Sequence, residues 1–116
     1  MLRSWGTENA EILERYIAAF IEGNRWAVDP ANKAAAVKIL TEGVKITPEV
    51  ATRTCEILSD PNSGLARDGR FDMQGFRNVL ALRAELEGGW GGKPPQPERY
   101  VDLSFYENAF QRASTR

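Results

Sequence analysis

Between residues 8 and 28 the apolar side chains Ile12, Leu13, Tyr16, Ile17, Phe20 and Ile21 recur at steps of three and four, and Ala27 extends the pattern. That is the period of an α-helix with one buried stripe. Glu8, Glu11 and Glu14 stand early in this stretch, where the positive end of the helix dipole favours them. Glu11 and Arg15 are four apart with the acid first, a spacing that pairs them on the wet face. Gly23 inside the pattern costs about 1 kcal/mol relative to alanine, which suggests close packing against another backbone.

The same logic divides the rest of the chain. Asp29-Pro30 reads as a helix start, because the Asp side chain accepts from free amides and Pro suits the first helical position. Ala34, Ala35, Ala36, Val37, Ile39 and Leu40 form that second helix, with Gly43 as its stop. Thr47-Pro48 opens a third, in which Val50, Ala51, Thr54, Ile57 and Leu58 share a face while Glu49 and Arg53 pair opposite. Asp60-Pro61 ends it, and the turn-forming stretch 60–71 reads as a loop. Asp72 caps a fourth helix whose buried side is Phe76, Val79, Leu80, Leu82 and Leu86, up to Gly88. Residues 88–99 hold four Gly and three Pro, a composition that predicts an extended connector with no regular element. Asp102 or Ser104 then caps a last helix carrying Phe105, Tyr106, Ala109 and Phe110. The expected fold class is all-α: four helices over 1–87, a Gly/Pro-rich connector over 88–101 and a C-terminal helix over 102–116. Tyr16, Phe20, Trp26, Phe76 and Phe110 fall at helical spacing and read as core.

Chemistry is constrained by what is missing. The 116 residues include no His, so Ser-His-Asp and Cys-His catalysis within this chain are excluded, as are zinc sites that need imidazole. One cysteine, Cys55, allows no intrachain disulfide, lacks an activating imidazole, and reads as a small buried hydrophobe. Fifteen Lys and Arg balance sixteen Asp and Glu without a basic run, which argues against nucleic acid as a partner. No apolar run approaches the roughly 20 residues of a membrane helix, and the start does not read as a secretory signal.

Two motifs fail on inspection. The run Asp60-Pro61-Asn62-Ser63-Gly64-Leu65 resembles the start of a calcium loop, but positions 5, 6 and 12 fall on Gly64, Leu65 and Phe71. A tight turn is the simpler reading. Gly88-Gly89-Trp90-Gly91-Gly92-Lys93 lacks the leading Gly of a phosphate loop, where Glu87 stands, and is followed by Pro94. It reads as a flexible connector with Trp90 as an anchor. The carboxylates lie beside Lys or Arg on helix faces, so no catalytic residue, metal ligand or cofactor site is nominated, and no enzyme is expected.

Several segments, in order, carry a resemblance. They are Ala18-Ala19-Phe20-Ile21-Glu22-Gly23, Trp26-Ala27 with Asp29-Pro30-Ala31-Asn32, and Ala36 to Leu40. They continue in Asp68-Gly69-Arg70-Phe71-Asp72, in Asn78-Val79-Leu80 with Leu82-Arg83-Ala84-Glu85-Leu86, and in Pro97-Glu98-Arg99-Tyr100-Val101-Asp102-Leu103-Ser104 with Tyr106. Over nearly its whole length the chain resembles the C-terminal part of solute-binding proteins of ABC importers, in the nitrate, sulfonate, taurine and thiamine-precursor (NMT1/THI5-like) family. The resemblance implies a type II periplasmic-binding α/β fold with two lobes, a small organic solute held between them, and docking of the loaded protein on a membrane permease. It implies a periplasmic parent. Both sheets lie outside the resembling segment, and no ligand-binding residue transfers to a position here. The expected role is therefore a C-terminal piece that does not bind solute alone. The alternative is a free-standing helical interaction module that self-associates, most simply as a twofold homodimer.

Overall fold

The computed structural model describes residues 3–115. Among them are six α-helices and no strand: α1 (Arg3–Glu8), α2 (Ala10–Val28), α3 (Lys33–Val44), α4 (Pro48–Leu58), α5 (Met73–Glu87) and α6 (Ser104–Thr115). The all-α class stands, with one helix more than expected. The extra helix, α1, has no apolar repeat to announce it. It is separated from α2 by Asn9 alone, whose side-chain amide turns back to donate to the Trp5 carbonyl at 2.9 Å.

Local chemistry sets most boundaries. Asp29 Oδ1 accepts from the Ala31 amide at 2.9 Å, opening a short 3-10 turn (Pro30–Asn32) that leads into α3. Thr47 Oγ1 accepts from the Val50 amide at 3.4 Å, and Asp72 Oδ1 from that of Gly75 at 2.8 Å. Asp102 Oδ1 takes both the amide (3.1 Å) and the hydroxyl (2.6 Å) of Ser104 at the start of α6. Gly88 ends α5 in the left-handed conformation, φ 63°, where a missing Cβ removes the steric penalty. Gly43 does not stop α3. It stays in the last turn facing open space, and Lys45 makes the left-handed cap at φ 58°. The expected Glu49–Arg53 pair is replaced by Arg53 with Glu56, at 3.8 Å.

Two compact units divide the chain: residues through Arg70 together with those from Phe105 onward, and Phe71–Ser104. In the first, α2 and α6 meet through Ala18, Ile21, Ala109 and Ala113, with Ile17, Tyr106 and Phe110 packed against them. Ile21 is fully buried among these three alanines. A second contact joins α3 and α4 around Ala36, Ala51 and Cys55. Lys33 at the start of α3 reaches Glu56 near the end of α4 at 3.0 Å, so these two helices run antiparallel. The loop after α4 keeps its expected irregular form. Gly64 is required there, because a Cβ would run into the carbonyl oxygens of Leu58 and Asp60.

The expected core of α2 is corrected. Ile21 is buried, and Leu13 and Ile17 are half-buried, but Ile12, Tyr16 and Phe20 are 62%, 69% and 55% exposed. The buried line on α2 is instead Glu14, Ala18 and Ile21. At 3.6 residues per turn, that line and the Ile12–Tyr16–Phe20 line stand on opposite sides of the helix. The line holding Ala18 and Ile21 is the one that packs against Ala109 and Ala113 of α6. Trp26 is also exposed, and Phe76 and Phe110 are half-buried.

In the second unit α5 buries Leu80 and Ala84, and Pro97, in the returning segment 97–99 that contacts α5, is buried as well. Val79, Leu82 and Leu86, expected inside, are exposed. The connector is not simply extended: 3-10 turns form at Gly89–Gly92 and Pro97–Arg99. Positive φ at Gly88, Gly91 and Gly92 folds the chain back, so that Trp90 lies 5.5 Å from the Arg83 guanidinium and 6.2 Å from the Tyr100 ring. Those contacts support the anchoring role expected of Trp90.

Candidate functional site

The most connected set of polar side chains in the first unit lines the α2–α6 seam. Glu14, on the buried face, accepts from Asn108 Nδ2 at 2.8 Å and pairs with Arg112 Nη2 at 2.8 Å. Three turns further along the same line, Arg25 Nε donates to Asp68 Oδ1 at 2.7 Å and Nη1 donates to the Ala113 carbonyl at 3.1 Å. The Arg25 guanidinium also lies 5.4 Å from the centre of the Phe110 ring, and that of Arg70 lies 5.5 Å from it. The Tyr106 hydroxyl donates to the Asp68 carbonyl at 3.0 Å. Each carboxylate here is held by a cation, and each bond ties one chain segment to another. The arrangement fastens helices; it presents no nucleophile beside a base. Sequence reading placed Glu14 with the early acids and missed it. The available signal was the spacing Glu14, Ala18, Ile21, Arg25, which puts an acid and a base on one helical line at its two ends.

The residues weighed for chemistry fall apart from one another. Asp60 Oδ1 accepts from the Ser63 amide (2.8 Å), the Asn62 amide (2.9 Å) and the Ser63 hydroxyl (2.9 Å). Those bonds, the Ser63 amide first, hold its carboxyl below the usual range by stabilising the charged form. The carboxylate thus serves its own turn. Cys55 is buried on α4 and, with the paired Lys33 and Glu56, lines a hollow of about 260 Å³. Lys93 ends the glycine turn and enters Pro94 rather than a helix. Among the described residues no group of three or more His, Cys, Asp or Glu could hold a metal. Nor is any described helix long and apolar enough to cross a membrane.

What stands out instead is open apolar surface. α2 shows Ile12, Tyr16 and Phe20; α4 shows Val50, Ile57 and Leu58; α5 shows Val79, Leu82 and Leu86. Each set recurs at helical spacing and so forms a stripe rather than scattered residues. A stripe of this kind does no chemistry, but it can cover another surface. Sequence reading found every one of these residues on an apolar helix face and took those of α2 and α5 as buried, since the period reports a face and not what lies against it. No family model, curated protein or solved structure matches the chain.

Proposed function

We propose that the chain is the C-terminal helical segment of a solute-binding protein of an ABC importer, in the nitrate, sulfonate, taurine and thiamine-precursor family. Its work is packing rather than capture. The observation that carries this reading is the pair of open aliphatic stripes, Val50, Ile57 and Leu58 on α4 and Val79, Leu82 and Leu86 on α5. Aliphatic helix faces of this kind suit the layered arrangement in which helices cover a sheet. The ordered resemblance across the chain supplies the identity of the surface covered: a lobe of the two-lobed parent. The parent acts in the periplasm, closes on a small organic solute by a hinge motion, and delivers it to a membrane permease. This segment lends lobe stability and does not hold solute.

The test has two arms. Coding DNA upstream of codon 1 should encode two sheet-containing lobes in frame or in a neighbouring frame. Isothermal titration with nitrate, taurine and a pyrimidine thiamine precursor should give no heat with the 116-residue chain and saturable heat with the upstream-extended protein. A locus without such lobes, or solute binding by the short chain, overturns the reading.

The second reading, a self-associating helical module, is favoured by a different surface. The stripe on α2 mixes aromatic with small residues, which suits helix-on-helix contact.

A further inference from the structure

We draw no further inference here: the strongest candidate, the open apolar face of α2 that bears Ile12 and Tyr16, borders the chain's own Gly69 at Phe20, and nothing in the structure shows what covers the rest of it.

Discussion

Arg25→Ala removes the side chain that joins α2, the loop before α5 and the end of α6. Its bond to Asp68 is charge-assisted, and such bonds contribute about 1.5–3 kcal/mol. The two side chains are 26% and 24% exposed, so solvent screening lowers that to about 1–2 kcal/mol. The bond to the Ala113 carbonyl places a cation at the negative end of α6, worth about 0.5–1 kcal/mol. The stack on Phe110 adds about 0.5–1 kcal/mol. These terms share one side chain and do not add freely; a loss of about 3 kcal/mol is expected. With a urea slope of about 1.5 kcal/mol/M, the midpoint falls by about 2 M. Urea titration followed by tryptophan fluorescence and circular dichroism measures it. Arg25→Lys keeps the charge but not the planar fork or the stack, so it should lose at least half as much. A double-mutant cycle with Asp68→Ala should show about 1–2 kcal/mol of coupling. The reasoning fails if Arg25→Ala costs less than about 0.5 kcal/mol, if the cycle closes at zero, or if Arg25→Lys matches the parent.

At the other end of the seam, Glu14→Gln retains an acceptor for Asn108 and loses the ion pair with Arg112; a loss of about 1–2 kcal/mol should lower the melting temperature by roughly 5 °C. Lys45→Gly relieves a left-handed residue at the end of α3 and should raise stability by about 0.5–1 kcal/mol, read in the same melt. For Asp60 the folded carboxyl sits below its unfolded value, so its contribution is complete above about pH 4 and fades as pH falls through the folded value. Melts of the parent and Asp60→Ala should accordingly differ at pH 7 and converge in strong acid, and a gap that widens on acidification would refute the assignment.

Much of the fold was legible because its signals are local. Asp29, Thr47 and Asp72 each bond to an amide two or three residues away, and Gly88 turns its own backbone. Such contacts need no distant partner, so residue type and order predict them. Glu11 with Arg15, four apart on one helix, is of the same kind and forms at 2.6 Å. The failures have the opposite character. Glu14 is held by residues 94 and 98 positions away, and a scan of its neighbours contains no trace of them. The glycine connector closes on Arg83 and Tyr100 because positive-φ glycines let it, a choice that composition alone reads only as freedom.

The sequence by itself determined that this chain is helical, where most of its helices begin, and that histidine-based chemistry has no place in it. Only the tertiary structure decided which line of α2 faces inward. Two lines at helical period were on offer, one bulky and one centred on Ala18. The second packs against Ala109 and Ala113 of α6, with Glu14 and Arg25 satisfied at its ends. The bulky line was left outside, because burial depends on the shape and charge of a surface that lies far away along the chain.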